Sequence, residues 1–258
     1  MSFTRHSKKD LRVCFLLICF LLVTNLKLIA QKNNSKFFTE IKVGASLPVS
    51  KFSDKTFTNS PWDNNPSGLA KTGLNINLSL GYHLNKSTGI LILLGNTFNK
   101  QDAASYKNYL TQINGNGRNE VSTNSWKIFK VMAGGFYEIP FSTSSKLKFQ
   151  SKITAGICKT AIPGYSYTLY DQNGMLQGAF TQAKTSLPSA FCYQLSAGIN
   201  YQINSRIDLL FDVSYCNSNP QINYSYNPNF PDPGPSISGK RKYNLSSVNV
   251  MAGIGIKL

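Results

Sequence analysis

"SSVNVMAGIGIKL", residues Ser246–Leu258, decides how this chain is read. From Val248 on its even positions, Val248, Val250, Ala252, Ile254, Ile256 and Leu258, are all apolar. Its odd positions, Ser247, Asn249, Met251, Gly253, Gly255 and Lys257, are mostly small or polar. Successive side chains of a β-strand point to opposite faces. The stretch is therefore a strand with one apolar and one polar face. It is also long enough to cross a bilayer when tilted, which takes about 9–11 residues.

The same alternation recurs upstream. Runs near 36–47, 73–84, 88–98, 126–139, 146–158, 190–203, 206–216 and 243–258 make eight such segments. No stretch after Gln31 is apolar for long enough to cross as a helix, and no sustained helical period stands out. The connections alternate as well. "NKS" (Asn85–Ser87), "PFSTS" (Pro140–Ser144) and "NSR" (Asn204–Arg206) are short. The stretches 48–72, 99–125, 159–189 and 217–242 are long and rich in Asn, Gly, Pro, Ser and Tyr. A soluble sandwich has no reason to sort its loops this way. An outer-membrane barrel does, with short periplasmic turns and long external loops. The expected fold is all-β: an eight-stranded antiparallel transmembrane β-barrel in an up-and-down meander. A soluble lipocalin-like barrel is the rival. It would turn its apolar faces inward, and alternation alone does not say which face is which.

Residues 1–30 read as a cleaved signal peptide, which leaves 31–258 as the barrel domain. Arg5, Lys8, Lys9 and Arg12 precede the apolar core "VCFLLICFLLV" (Val13–Val23), and "LIAQ" (Leu28–Gln31) places the cut after Ala30. An uncleaved anchor is the alternative. Cys14 and Cys19 are apolar filler within this segment. Beyond position 30 the chain holds 22 basic and 10 acidic residues, net +12. For an exported protein the expected neighbours of such charge are outer-membrane lipid and lipopolysaccharide, not nucleic acid. The basic residues are scattered, so ordinary solvated charge remains the plainer reading.

A weak repeat precedes the short turns: "SLGYHLN" (Ser79–Asn85), "AGGFYEIP" (Ala133–Pro140) and "SAGINYQIN" (Ser196–Asn204). Tyr82, Tyr137 and Tyr201 lie on the apolar faces at one depth, as an aromatic girdle at the inner interface would. Phe129, Phe191, Tyr193 and Tyr215 are candidates for the outer girdle. With these turn entries, the exporting segment ending "AQ" and the closing "VMAGIGIKL", the chain resembles the small outer membrane β-barrel family of Gram-negative bacteria. That is the porin-like or PorT-like type, similar in plan to OmpA/OmpX-type barrels. The resemblance covers 32–258 and implies a fold rather than an activity. It implies that the last strand carries the assembly signal and seals against the first. Leu258 stands where such barrels usually end in an aromatic residue.

The polar faces define the expected lumen. They carry Glu40, Lys42, His83, Lys130, Glu138, Lys148, Lys152, Asp208, Asp212 and Lys257, with Asn75, Asn77, Gln150 and Ser214 among them. An eight-stranded barrel is only wide enough for side chains to fill it. Charges of both signs inside it must pair. Glu138 and Lys148 are expected to face each other across the 140–144 turn. Strand 88–98, "GILILLG", is apolar on both faces and gives no orientation. Grouping Glu40, Glu138, Asp208 and Asp212 as catalytic carboxylates is weaker than reading them as an ion-pair network. A lipid-modifying enzyme needs a polar catalytic group at the outer leaflet, and no Ser–His arrangement stands there. Neither a metal nor a cofactor is expected.

Cys158, Cys192 and Cys216 all fall on lumen-facing positions. The register set by "NSR" makes Cys192 and Cys216 either direct opposites, close enough for a disulfide, or diagonal neighbours too far apart for one. Apolar filler is the alternative. In the fourth long stretch, Lys240, Arg241 and Lys242 are candidates for lipopolysaccharide phosphates, while its Tyr, Asn and Pro residues suit glycan or protein contact. A solvated loop carries equal weight. The function expected is a monomeric, plugged barrel with a structural or surface-interaction role. An accessory part in protein secretion, or a narrow channel, is the alternative.

Overall fold

The computed structural model describes residues 36–56, 66–114, 118–226 and 237–258. The export segment and the "NPNFPDPGP" stretch at 227–235 lie outside them. The first elements are β1 (Phe37–Val49), β2 (Ala70–His83), β3 (Thr88–Gln101) and helix α1 (Ala103–Asn114). Then come β4 (Asn119–Thr123), β5 (Ser125–Pro140), β6 (Leu147–Ile162), β7 (Tyr165–Tyr170), β8 (Leu176–Gln182) and β9 (Thr185–Ser186). The chain continues through β10 (Ala190–Gln202), β11 (Ile207–Ser218), β12 (Gln221–Tyr226), β13 (Ile237–Lys242) and β14 (Leu245–Lys257).

Eight of these strands close on themselves. The order β10-β11-β14-β1-β2-β3-β5-β6 returns to β10 through the β6–β10 pairing, and each neighbouring pair is antiparallel. Closure removes every open edge from the membrane-spanning wall. β14 seals against β1 over twelve residue pairs, from Phe38↔Lys257 to Val49↔Ser246.

The side chains sort as the inverse of a soluble protein. Ile153, Ile157 and Phe191 are 62%, 60% and 67% exposed, whereas Glu40 and Lys42 are each 2% exposed. Charged residues go inside only when paired, and a continuous apolar exterior needs a non-aqueous partner. This excludes the lipocalin-like alternative. On β5 the outward apolar residues run from Phe129 to Ile139. At about 3.3 Å per residue and a tilt of about 40°, that span stands about 25 Å tall, the height of a hydrocarbon-facing band. β3 is now oriented. Leu91, Leu93, Thr97 and Asn99 are buried, while Ile90 and Ile92 face out.

Glycine permits the tight coiling this closure needs. A Cβ on Gly44 would lie 2.0 Å from the Val250 carbonyl oxygen, and one on Gly134 would lie 1.9 Å from that of Ile153. Both positions face inward, where neighbouring strands press closest.

The short connections all lie at one end. Two of them are Asx turns: Asn85 Oδ1 accepts the N–H groups of Ser87 and Thr88, and Asn204 Oδ1 accepts those of Arg206 and Ile207. The start of β1 and the end of β14 join them there, with Leu258 N donating to Phe37 O at 3.0 Å. The long connections at the other end carry structure that the sequence reading left as loops. β4, β7 and β8 form a three-stranded sheet, and β12 pairs with β13 as a hairpin. Helix α1 lays Tyr106 and Leu110 on that sheet beside Leu69, Val121, Tyr165, Tyr167 and Leu169. Asp102 caps α1 through the N–H groups of Ala104 and Ser105.

Candidate functional site

The lumen is layered. At its centre Glu40 and Lys42 project inward two residues apart on β1, Asp212 projects from β11, and Lys152 projects from β6. β6 stands four strands from β1 in the ring of eight, directly across the barrel. Lys152 Nζ nevertheless reaches both Glu40 oxygens, at 2.8 and 2.6 Å. Lys42 Nζ lies 3.3 Å from Glu40 and also bonds Asp212. Two acids and two bases are thus closed into one neutral group spanning the lumen. All four side chains are buried.

Toward the short-turn mouth a second set gathers on Glu138. It accepts Lys148 Nζ at 3.2 Å, Gln150 Nε2 at 2.7 Å and Asn200 Nδ2 at 3.2 Å. Register makes a correction here. Glu138 stands opposite Gln150, and Lys148 stands opposite Pro140, so the ion pair runs along the diagonal rather than head-on. Lys257 bonds Asp208 at 3.0 Å on the facing wall. The His83 ring is held between Phe38 and Phe136, its centroid 5.0 Å from each. Phe38 and Phe136 meet edge to face at 5.3 Å.

Toward the long-loop mouth the lining becomes amide, thiol and aromatic. Asn75 and Asn77 direct Nδ2 at the Met251 sulfur, each at 3.3 Å. Lys130, 1% exposed, has its Nζ 3.8 Å from Cys216 Sγ. Above them Trp126 donates to the Gly68 carbonyl at 2.9 Å and packs against Phe52 and Tyr243.

Of the two arrangements open to Cys192 and Cys216, the structure has the diagonal one. Cys192 pairs with Ser218, and Cys216 pairs with Gln194, because the hairpin sets Gln202 opposite Asp208. The two cysteines are diagonal neighbours, a spacing beyond disulfide reach. Cys158, Cys192 and Cys216 are all buried free thiols.

Tyr82, Tyr137 and Tyr201 sit on the exterior close to the short turns, and the Tyr82 ring lies 4.8 Å from that of Phe37. Phe129, Phe191, Tyr193 and Tyr215 are on the exterior toward the other end. Lys240 and Lys242 lie on β13 with Arg241 between them, so alternation sends Arg241 to the opposite face of the hairpin.

In the lumen the carboxylates are paired, while several amide and hydroxyl oxygens, Asn77 Oδ1, Ser79 Oγ and Thr154 Oγ1 among them, have no hydrogen-bond partner. Each inward carboxylate already meets an ammonium, which leaves none free as a general base. Among the described residues no three His, Cys, Asp or Glu side chains converge as a metal site. Sequence reasoning missed Asn200 and the Phe38–His83–Phe136 sandwich. Asn200 was legible as an inward position by its spacing from Gln194. The aromatic sandwich was not, because it joins three strands.

No protein-family model matches the chain, and no curated protein matches it. Solved structures do resemble it. Neisserial surface protein A is 14% identical, with 87% of this chain and 98% of that one covered and a TM-score of 0.46. The outer membrane protein OprG from Pseudomonas aeruginosa is 12% identical, with 87% and 97% covered and a TM-score of 0.48. The attachment invasion locus protein Ail of Yersinia pestis is 13% identical, with 86% and 99% covered and a TM-score of 0.39. The fold rests on this molecule's own geometry, its closed sheet and its inverted faces. The chain is an eight-stranded transmembrane β-barrel of the outer-membrane type.

Proposed function

We propose that the protein works in the bacterial outer membrane as a plugged, non-enzymatic barrel. On this reading residues 1–30 are removed on export, 31–258 form the barrel domain, and the role is carried by the external cap. The observation that supports the plug is the Lys152–Glu40 bridge, which crosses the full width of the lumen. An ion moving along the axis would have to break it. Leaving one charge of such a buried pair uncompensated costs about 3–5 kcal/mol. The layered aromatic groups at both mouths favour the same reading. The capped sheet of β4, β7 and β8, with Met175 and Leu176 more than half exposed, is what the barrel holds out to partners. Lys240, Arg241 and Lys242 belong to that outer surface. The test is planar-bilayer recording on the refolded mature protein. Silence at neutral pH is expected, and steady single-channel steps would overturn the plug.

A further inference from the structure

The exterior of the barrel is not uniform around its outer rim. On β5 the apolar band ends at Phe129, and the next outward residue toward the long loops is Lys127. On the neighbouring β6 the band ends at Ile157, and the next outward residue is Lys159. Lys127 faces Ala161 and Phe129 faces Lys159, so the two lysines are diagonal neighbours on one surface. Lys100 of β3 continues the line, since its partner is Ser125 and its diagonal neighbour is Lys127. Lys184, exposed just before β9 where Thr185 pairs with Ile162 of β6, adds a fourth ammonium. Burial and the nearby Lys127 charge together hold its pKa below the ordinary lysine value.

None of these four makes an ion pair among the described residues. The acids nearest in sequence are engaged elsewhere, Asp102 with Lys71, Glu120 with Arg118, and Asp171 with the N–H groups of Asn173 and Met175. Like charges this close raise the energy of the wall unless an anion lies among them. Directly below, the outward surface narrows to the facing alanines Ala133 and Ala155. Cations just above an apolar wall, where Val131 faces Ile157 next below Phe129, match an amphiphile with an anionic head and several acyl chains.

We infer that this rim, Lys100, Lys127, Lys159 and Lys184, binds the phosphates of lipid A in the outer leaflet. The inference rests on the outer-membrane reading above. Each lysine near a charged membrane surface is worth about 1 kcal/mol, so removing three weakens binding about a hundredfold.

The test uses the mature protein folded in detergent micelles, with native mass spectrometry reading bound lipid. Heat-modifiable migration is recorded first, because its absence in the wild type strikes the barrel reading rather than this one. Bisphosphorylated lipid A is expected to bind, and dephosphorylated lipid A and phosphatidylglycerol to bind far less. The triple variant K127Q/K159Q/K184Q should lose about two orders of magnitude in affinity while keeping its migration shift. If it does not fold, K127Q alone should lose about fivefold. A matched control, K36Q/K86Q/K146Q at the short-turn end, should leave binding unchanged. Unaltered binding in the rim variants, an equal loss in the control, or equal retention of phosphatidylglycerol would each overturn the assignment.

Discussion

Consider Glu40→Gln. In the native lumen Glu40 is held by Lys152 and by Lys42, and Lys42 is shared with Asp212. The substitution keeps the shape but leaves two ammonium groups and one carboxylate in a space where all are buried. Removing one partner of a buried pair costs about 3–5 kcal/mol, because the remaining charge has lost its compensation. Glu40→Gln combined with Lys152→Met removes both members of the cross-lumen bridge. The remainder, Lys42 with Asp212, is neutral again. Replacing a buried pair by uncharged groups of similar volume is often nearly neutral. The double variant is therefore expected within about 2 kcal/mol of the native protein; with each single costing at least about 3 kcal/mol, the coupling between the sites is at least about 4 kcal/mol. The assay is equilibrium urea unfolding in lipid vesicles, followed by fluorescence of the buried Trp126. A single variant within experimental error of the native protein would refute the account. So would a double variant whose loss is the sum of the two singles, since strict additivity means the charges do not interact.

The remaining expectations concern separate parts of the molecule. Thiol labelling of unfolded, unreduced protein should modify Cys158, Cys192 and Cys216 alike; a count of one would restore a disulfide. Gly134→Val sets side-chain atoms against the Ile153 carbonyl. It should cost about 1–3 kcal/mol by overpacking, read as slower refolding into vesicles; an unchanged rate counts against it. At Asp102 burial raises the carboxyl pKa, but Lys71 and the Ser105 N–H and hydroxyl outweigh it, and the net shift is downward. The folded pKa therefore lies below the unfolded one, so the cap stabilises α1 above the ordinary aspartate range. That contribution fades as pH falls through the lower, folded value. Asp102→Ala should loosen α1 by about 1 kcal/mol at neutral pH, seen as faster proteolysis within 103–114; equal cleavage rates would remove the cap from the account.

How far the sequence reached depends on which quantity each feature needs. Inward and outward faces need only parity. For strands such as β14 and β11 the alternation is strong enough to give every side chain its side. Where both faces are apolar, as in "GILILLG", parity is present but carries no signal. Leu91 and Leu93 are buried because Phe38, Phe136 and Met132 make that level of the lumen apolar. Register needs the turn geometry as well. The expected alignment put Glu138 against Lys148 and left Cys192 and Cys216 either opposed or on the diagonal. The actual alignments put Pro140 against Lys148 and Cys192 against Ser218. In each case the offset from direct opposition equals two residues, the spacing that keeps every side chain on its face. That is why Glu138 and Lys148 still meet, through a long flexible lysine, while two short cysteines do not.

The external cap was legible in part and went unread. Tyr106 and Leu110 are four residues apart, the spacing of one helix face, and both point into the core of the cap. Its sheet depends on strands separated by more than forty residues, such as β4 with β7, and no local pattern announces that pairing. The lysine rim shows the same division. Lys127 and Lys159 each stand two residues beyond the last apolar outward position, at Phe129 and Ile157, which any alternation count reveals. That they lie side by side follows only from the β5–β6 register. A scattered set of basic residues in the sequence thus becomes a patch through strand pairing alone. Every inward carboxylate is already paired inside the lumen, so none of them is free to neutralise the outward lysines at the rim.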